Sequence, residues 1–453
     1  MERLFGTDGV RGVANRYPMT AEMALEIGRA VAYVCKRHRD HRHSVVIGKD
    51  TRVSGYMLES ALTAGICSMG VDVMLVGPVP TPGIAYLTHS MRADAGLVIS
   101  ASHNPYQDNG IKIFSLSGFK LPDAEEDEIE DLITSGRIRD IRPTADEIGK
   151  ARRIEDALGR YIVFCKSTFP DELSLEGMKI VMDCANGATY KVAPMIFAEL
   201  GADVTAIHDE PDGVNINDNC GSQHTADLRA RVLELGADIG LAFDGDGDRL
   251  IAIDEKGNEL TGDHVMVICA DRYKRIGRLR NNLVISTVMS NFGFCRALDS
   301  LGIDYEAAKV GDRYVLEMMQ QRDAVLGGEA SGHTIFLDRH TTGDGIVTAL
   351  QLLAALRETG KPLSEMAKLM QLFPQEMINV DVARKVPLDE LPAVTAAIAA
   401  AEAELGADGR VLVRYSGTQS MCRVMVEGPT VEITRRLARS IADCVTRELA
   451  VPA

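Results

Sequence analysis

Short strand-like runs alternate with helical patterns through most of the 453-residue chain, and this alternation constrains the fold more than any other feature. It is typical of βαβ units, in which helices cover a largely parallel sheet. The runs fall into three sets, each ending in a polar motif, and this indicates a structural repeat. The runs lie at 44–48, 71–77 and 95–100, then 178–183, 202–207 and 237–243, then 282–287, 303–310 and 324–328.

Composition marks where one set gives way to the next. A charged stretch with a proline at 136–153 follows the first set, and a turn at 255–258 follows the second. Beyond residue 370 the pattern becomes strand, helix, two strands and helix. We therefore predict an α/β protein in which three similar domains with mixed or parallel sheets, plus a C-terminal α+β domain, surround a central cleft. The predicted domains are 1–152, 153–255, 256–370 and 371–453.

Charge and cysteine content exclude several classes of function. The formal net charge of -16 argues against a general nucleic-acid binder, and an anionic small substrate would need a site that gathers its own cations. We find neither an apolar signal segment nor an apolar run that approaches the length of a membrane span. Nine cysteines without a CxxC pair indicate reduced thiols. We expect a cytoplasmic protein that binds neither nucleic acid nor membrane.

The first polar motif, SASHNP, ends the run at 95–100 and places Ser102 at a strand tip. A serine there can act as a nucleophile, but it needs a base. His103 is the nearer candidate, and Lys112 could reach the same space if 111–114 returns beside the first strand. Taken alone, a Ser-His pair is more often an ordinary turn. A serine hydrolase is one alternative, although the G-x-S-x-G elbow of such enzymes is missing.

The second motif places Asp244, Asp246 and Asp248 at alternate positions with glycines between them. Alternate side chains of an extended loop point the same way, so the three carboxylates can converge on one cation. Oxygen ligands select Mg²⁺ or Ca²⁺ over zinc. Mg²⁺ needs further oxygen ligands, which a phosphoryl group would supply, and Arg249 could hold the remaining phosphoryl oxygens.

A calcium loop in a non-enzymatic module is the rival interpretation of this motif. Glu255 falls at the twelfth position, where an EF-hand loop has its last ligand. Two features argue against it. Arg249 occupies the position of the required glycine, and the flanking segments have the pattern of strands rather than helices.

Two further motifs carry polar groups suited to a phosphorylated sugar. Gly328 to His333 reads GEASGH, and the segment from Arg414 to Thr418 reads RYSGT, followed by Arg423. Hydroxyls, a flexible backbone and two guanidiniums supply donors around a tetrahedral dianion. We predict that this last segment binds phosphate.

Together these motifs resemble the signature segments of the α-D-phosphohexomutase family, in order and over nearly the whole chain. The match includes FGTDGVRG at 5–12, ISASHNP at 99–105 and TTGDG at 341–345. The resemblance implies an intramolecular phosphotransferase of the isomerase class, which moves phosphate between the 1- and 6-positions of aldohexoses. The same segments are most similar to the branch that acts on glucosamine phosphates in amino-sugar and cell-wall precursor metabolism.

The resemblance implies that Ser102 is a phosphoserine in the active enzyme and binds one Mg²⁺ per chain together with the three aspartates. The enzyme would donate its phosphoryl group to glucosamine 6-phosphate, giving a 1,6-bisphosphate that turns round and leaves as glucosamine 1-phosphate. A hexose 1,6-bisphosphate would act as activator. Lys112 and Arg11, with His103, would supply acid–base and charge-stabilising groups beside the serine.

The resemblance also implies which residues bind the sugar and the phosphate that does not react. A homodimer is possible by the same resemblance. Gln419-Ser420 stands where Glu-Pro is usual in the glucosamine branch, so a phosphomannomutase or phosphoglucomutase remains the alternative. The implied substrate-binding residues are Arg249, Lys309, Glu329, Ser331 and His333, and the implied phosphate-binding residues are Arg414, Ser416, Gly417, Thr418 and Arg423.

Overall fold

The computed structural model describes residues 3–6, 8–36, 41–416 and 420–449. Contacts divide the chain into two compact units, residues 1–289 with 303–368 and residues 290–302 with 369–453. The first unit contains three mixed sheets flanked by helices, and the second contains one antiparallel sheet with helices. The predicted fold class is confirmed.

The first sheet places a polar strand end beside a returning strand. Its strands are β1 (Val10–Val13), β2 (Ser44–Lys49), β3 (Asp72–Pro78), β4 (Ala95–Ile99), β5 (Asp108–Ser115) and β6 (Ala151–Arg153), and its helices are α1 (Ala21–Lys36), α2 (Ser54–Ser68), α3 (Thr81–Ser90) and α4 (Asp123–Thr134). Their order is β1-β5-β4-β2-β3-β6. Strands β3 and β4 run parallel to β2 on either side of it, and β5 returns antiparallel beside β4. Lys112 on β5 pairs with Val98, so 111–114 does return beside the strand that leads to Ser102.

Helices α1 and α2 pack closely because each has a glycine at the contact. A Cβ on Gly28 would lie 2.7 Å from the carbonyl oxygen of Leu62, and one on Gly65 would lie 2.3 Å from that of Leu25. Such contacts are too short for a real side chain, so these glycines set the spacing of the pair.

The second sheet has the same central arrangement. Its strands are β7 (Lys179–Asp183), β8 (Asp203–Ile207), β9 (Ile239–Phe243), β10 (Leu250–Asp254) and β11 (Glu259–Leu260), with helices α5 (Ala157–Ser167), α6 (Val192–Glu199) and α7 (Ala226–Leu235). Strands β8 and β9 run parallel to β7 on either side, and β10 returns antiparallel beside β9. Every residue of β9 is buried, as is usual for parallel strands covered on both faces.

The third sheet repeats the arrangement with four strands. They are β12 (Leu283–Thr287), β13 (Asp304–Ala308), β14 (Leu326–Gly328) and β15 (Thr334–Phe336), and the helices of this part of the chain are α8 (Gly262–Arg275), α9 (Phe292–Leu301), α10 (Asp312–Arg322), α11 (Gly345–Thr359) and α12 (Leu363–Met366). Strands β13 and β14 flank β12 in parallel, and β15 is antiparallel to β14. Helix α9 belongs to the second compact unit.

The three sheets thus share one strand order, β3-β2-β4-β5, β8-β7-β9-β10 and β13-β12-β14-β15. In each of them a polar motif forms the connection between the third strand and the antiparallel strand beside it. We call these connections the serine loop (residues 100–107), the aspartate loop (244–249) and the glutamate loop (329–333).

The second unit is built on a three-stranded antiparallel sheet in the order β16-β18-β17, formed by β16 (Gln375–Asp381), β17 (Arg410–Tyr415) and β18 (Met421–Glu427), and it includes α13 (Pro392–Leu405) and α14 (Val431–Leu449). The buried Asn291 before α9 donates from its side-chain amide to Glu427 (2.9 Å) and to the carbonyl oxygen of Phe373 (3.0 Å). These bonds explain why 290–302 groups with this unit.

Among all described residues, no helix is both long enough and apolar enough to cross a bilayer.

Candidate active site

The serine loop holds Ser102 in an unusual backbone conformation. Its φ is 52°, in the left-handed region, and its side chain is almost fully buried. Three polar groups hold this conformation. The Ser102 N–H donates to Ser100 Oγ (2.9 Å), and its carbonyl oxygen accepts from the Arg52 guanidinium (3.1 Å) and the Asn217 side-chain amide (2.9 Å).

The Ser102 hydroxyl lies against the aspartate loop. It donates to Asp244 Oδ2 at 2.6 Å, and His103 Nδ1 lies 3.3 Å from the same hydroxyl oxygen. The nucleophile candidate, the imidazole and the first aspartate are therefore brought together. Burial and the nearby Arg249 guanidinium lower the pKa of His103 to about 4, which leaves its imidazole neutral at pH 7.

The three aspartates form a buried cluster whose ligand oxygens all lie within 4.8 Å of one another. Burial, followed by the neighbouring carboxylates of Asp248 and Asp246, raises the pKa of Asp244 well above its usual value. One oxygen each of Asp246 and Asp248 is buried without a hydrogen-bond partner among the described residues. Carboxylates converging from three residues, two of them with an orphaned buried oxygen, fit a hard divalent cation.

Lys112 extends from β5 into this cluster. Its ammonium lies 2.9 Å from Asp246, 3.2 Å from Asp8 and 3.7 Å from Asp248. Burial alone would lower the pKa of Lys112, but these carboxylates outweigh it and raise the pKa well above the usual value. Lys112 is therefore a permanent cation here, suited to charge stabilisation rather than to accepting a proton.

Asp8 joins the predicted residues Arg11 and Lys112 into a wider network. Its carboxylate pairs with the Arg11 guanidinium and lies 2.6 Å from the ammonium of Lys120, which also pairs with Asp312. Burial alone would raise the pKa of Asp8, but Lys112 and Lys120 hold it well below its usual value. The carboxylate stays ionised and pairs with three cations, those of Arg11, Lys112 and Lys120.

His333 connects the glutamate loop to the aspartates. Its Nδ1 lies 3.6 Å from Asp248 and its Nε2 lies 3.6 Å from Asp312. Burial lowers its pKa, but the two carboxylates prevail and raise it to about 9, so that the ring is charged at pH 7. Backbone contacts also tie the two loops together, since Arg249 and His333 form an isolated β-bridge. The Arg249 N–H donates to Asp244 Oδ1 at 3.1 Å.

The other predicted sugar contacts lie less deeply. Glu329 is half-buried and accepts from the Gly311 N–H (3.1 Å) and from the Ser331 hydroxyl (3.2 Å). Lys309 is exposed, and its ammonium lies 5.8 Å from the ring centre of Tyr314. Glu329 and Ser331 thus lie on one loop with His333, whereas Lys309 stays outside this network.

The predicted phosphate-binding segment lies in the second unit. Arg414 on β17 is directly opposite Arg423 on β18, and burial together with Arg423 lowers the pKa of Arg414. Like charges directly opposite each other across a strand pair repel, and an anion bound beside them would offset this repulsion. Ser416 is buried beside them and donates its N–H to the carbonyl oxygen of Met421 (2.9 Å). Gly417 and Thr418, predicted at the same site, lie outside the described residues.

The EF-hand interpretation of the aspartate loop is wrong. The loop joins two antiparallel strands, β9 and β10, instead of two helices. Glu255, which that interpretation needs as a ligand, turns away and accepts hydrogen bonds from the hydroxyl and the N–H of Ser364. A carboxylate that caps another helix cannot close a calcium loop.

Sequence reasoning did not identify several residues that hold the site together. Asp8 belongs to the motif FGTDGVRG and Asp312 lies three residues after Lys309, but only the structure reveals that Lys120 bridges them. Thr81, at the start of α3, donates its hydroxyl to Asp246 Oδ2 at 2.6 Å. Arg52 is fully buried beneath the serine loop and donates to the carbonyl oxygen of Ser102.

Four domain families match this chain, and together they span most of it. All four are described as parts of phosphoglucomutase/phosphomannomutase: alpha/beta/alpha domain I at residues 2–139, domain II at 160–257, domain III at 261–373 and the C-terminal domain at 377–444.

Curated relatives are similar over their full lengths. A phosphoglucosamine mutase of Syntrophobacter fumaroxidans is 64% identical over 98% of this chain and 99% of its own, and one of Myxococcus xanthus is 55% identical over 99% and 98%. Among solved structures, a phosphoglucomutase/phosphomannomutase family protein of Burkholderia thailandensis superposes with a TM-score of 0.81 at 24% identity, covering 100% of both chains. A putative phosphomannomutase of Thermus thermophilus gives 0.77 at 23% identity, covering 97% and 98%.

Proposed function

The chain belongs to the phosphoglucomutase/phosphomannomutase family, and from this premise we propose that it is a phosphoglucosamine mutase. It interconverts glucosamine 6-phosphate and glucosamine 1-phosphate through a phosphoserine enzyme and a 1,6-bisphosphate intermediate. The observation that carries the proposal is the 2.6 Å approach of Ser102 Oγ to Asp244 within a cluster of three buried carboxylates.

Mg²⁺ is the proposed metal, held by Asp244, Asp246, Asp248 and an oxygen of the phosphoryl group on Ser102. The support is the all-oxygen donor set and the two orphaned carboxylate oxygens. A bound Mg²⁺ would neutralise charge on the phosphoryl group and fix its orientation.

The residues around Ser102 divide the remaining work of phosphoryl transfer. Transfer breaks the bond between phosphorus and Ser102 Oγ and forms one to a sugar hydroxyl, and the hydroxyl proton must leave. Lys112 and Arg11 are proposed to stabilise the charge on the transferring group, because both are fixed by Asp8. His103 is proposed to exchange a proton with Ser102, because its Nδ1 lies 3.3 Å from Oγ.

Different residues are proposed to bind the sugar and the phosphate that does not react. Glu329 and Ser331 bind ring hydroxyls beside His333, Arg249 binds phosphate oxygens, and Lys309, being exposed, makes only a peripheral contact. The phosphate that does not react is proposed to bind Arg414, Ser416 and Arg423, with Gly417 and Thr418, because guanidiniums that face each other across a strand pair suit a dianion.

Other properties follow the same proposal. A hexose 1,6-bisphosphate activates the enzyme by phosphorylating Ser102. The location is proposed to be the cytoplasm, supported by nine cysteines of which none forms a disulfide in the described residues. The domains are proposed at 1–152, 153–255, 256–370 and 371–453, and a homodimer is proposed from the family resemblance alone.

The test is a comparison of turnover on the 1-phosphates of glucosamine, glucose and mannose. Glucosamine phosphate should give the highest kcat/KM, and equal or better use of mannose phosphate would overturn the amino-sugar assignment. Gln419→Glu restores the acidic residue usual in the glucosamine branch and serves as the matched variant. A rise in glucosamine preference in this variant would show that position 419 contributes to recognition.

A further inference from the structure

A second cluster of metal-ligating side chains lies at the amino ends of the strands of the first sheet, whereas Ser102 lies beyond the carboxyl end of β4. His41 and His43 come just before β2, and Asp94 comes just before β4. Strands β2 and β4 are adjacent and parallel, with Val45 paired to Ala95, so the residues that precede them meet at the amino ends of the strands. The serine loop leaves the carboxyl end of β4, so the two clusters lie at opposite ends of one strand.

The geometry of this cluster is that of a small coordination site. His41 Nε2 lies 3.1 Å from Asp94 Oδ1, and His43 Nδ1 lies 3.3 Å from Asp94 Oδ2. One ligand atom from each of the three residues falls within 4.8 Å of the others, and the imidazole centres are 4.3 Å apart. A tetrahedral ion with metal–ligand bonds of about 2.0–2.1 Å places neighbouring ligand atoms about 3.3 Å apart.

His43 shows that hydrogen bonding within the protein does not satisfy this cluster. Its side chain is only 6% exposed, and its Nδ1 has no hydrogen-bond partner among the described residues. Asp94 Oδ2, the carboxylate oxygen nearest to it, already accepts from the Ser44 N–H at 2.9 Å. A buried imidazole nitrogen left without a partner destabilises the folded protein, and an ion bound to that nitrogen would remove this penalty.

We propose that His41, His43 and Asp94 bind a divalent transition-metal ion, with Zn²⁺ the best fit. Two imidazoles and one carboxylate suit Zn²⁺ rather than Mg²⁺, which prefers oxygen ligands alone. His41 is 40% exposed, so the ion can enter from solvent and keep a water molecule as its fourth ligand. The bound ion would link the segment just before β2 to Asp94, the residue just before β4. The proposal does not depend on the phosphotransfer proposed above.

A Co²⁺ titration followed by visible absorption tests this site separately from the aspartate loop. Four-coordinate Co²⁺ with imidazole ligands absorbs strongly, whereas six-coordinate Co²⁺ with oxygen ligands absorbs weakly. The variants are His41→Ala, at an exposed position that should leave the fold intact, and His43→Gln, which keeps a polar group of similar size. His89→Ala is the matched control, because His89 lines the same cavity as His41 and Asp94 without belonging to the cluster.

We expect one strongly absorbing Co²⁺ per chain in the wild type and in His89→Ala, displaced by Zn²⁺. Its affinity should fall at least about tenfold in His41→Ala and in His43→Gln. Zn²⁺ should raise the Tm of the wild type and leave that of His41→Ala unchanged. A wild type without the strong band, or a band that His41→Ala leaves intact, would overturn the proposal and leave two histidine–aspartate ion pairs in its place.

Discussion

The serine loop and the aspartate loop occupy the same position in two sheets of the same strand order, yet they place different residue types in the left-handed backbone conformation. Each contains a residue with positive φ, Gly247 at 73° in the aspartate loop and Ser102 at 52° in the serine loop. Glycine adopts this conformation without steric cost, whereas for a residue with a Cβ the conformation costs about 1 kcal/mol or more.

The difference teaches where strain is tolerated. In the serine loop it falls on the residue proposed to react, and Arg52 and Asn217 hold the carbonyl oxygen of that residue in place. In the aspartate loop Gly245 allows close approach instead, because a Cβ there would lie 2.7 Å from the Ser102 carbonyl oxygen. The serine loop is strained at the residue that presents its hydroxyl, whereas the aspartate loop has a glycine that allows the two loops to come into contact.

The largest expected effect comes from removing the hydroxyl that the serine loop presents. Ser102→Ala should abolish the phosphorylated form of the protein and lower mutase activity on the order of 10⁴-fold or more, because the phosphoryl carrier is removed. Intact-mass spectrometry after incubation with glucose 1,6-bisphosphate checks this. Ser100→Ala is the matched control and should still become phosphorylated. Phosphorylation that persists in Ser102→Ala would contradict the assignment.

The next effect concerns the aspartate loop. Asp246→Asn should weaken Mg²⁺ binding and lower kcat/KM by about 10²–10³-fold at limiting Mg²⁺, while Ser102 remains present to be phosphorylated. Activity measured against Mg²⁺ concentration checks this, with Asp254→Asn, at the far end of β10, as the control. An unchanged Mg²⁺ dependence in Asp246→Asn would argue that the metal lies elsewhere.

A pH effect should come from the carboxyls at the ends of the central strands of the first two sheets, because burial raises the pKa of both Asp50 and Asp183. Asp50 follows β2 and pairs with the buried Arg52, whereas the equivalent Asp183 ends β7 and accepts from the N–H groups of Ala185 and Gly221, each at 2.8 Å. Burial raises the pKa of Asp183 to about 6. A raised carboxyl pKa favours the folded state when the group is protonated, so this stabilisation is complete below about pH 4 and is lost as pH rises through about 6.

Urea unfolding of the wild type and Asp183→Asn between about pH 4 and pH 7 measures this effect. The free energy of unfolding of the wild type should fall by up to about 3 kcal/mol relative to the variant over that range. Asp238→Asn, an exposed carboxylate just before β9, serves as the control and should follow the wild type. A constant difference between wild type and Asp183→Asn would mean that Asp183 has an ordinary pKa.

The smallest effect tests the strain itself. Ser102→Gly and Ser102→Ala both lack the hydroxyl, but only glycine relieves the positive φ. Ser102→Gly should therefore be more stable than Ser102→Ala by about 1 kcal/mol in urea unfolding, after allowance for the greater freedom of glycine in the unfolded chain. Equal stability of the two would show that the serine loop is not strained at this residue.

The sequence predicted the sheets well, because they depend on local patterns, whereas the meeting of Ser102 with the three aspartates was implied only by the family resemblance. Alternating apolar runs predicted the strands, and the return of β5 beside β4 placed Lys112 near the aspartates. The sequence could not predict Lys120 or decide the role of Arg52, since both act through residues distant in sequence. The charge state of Lys112 was also beyond reach, because it depends on three carboxylates from two domains.

The facing guanidiniums of Arg414 and Arg423 have a consequence for the lifetime of the protein. A dianion bound at the proposed phosphate site would offset this repulsion, and the folded form of the second unit would then gain stability from its ligand. Resistance of that unit to proteases should accordingly rise with the concentration of sugar phosphate added to the purified protein.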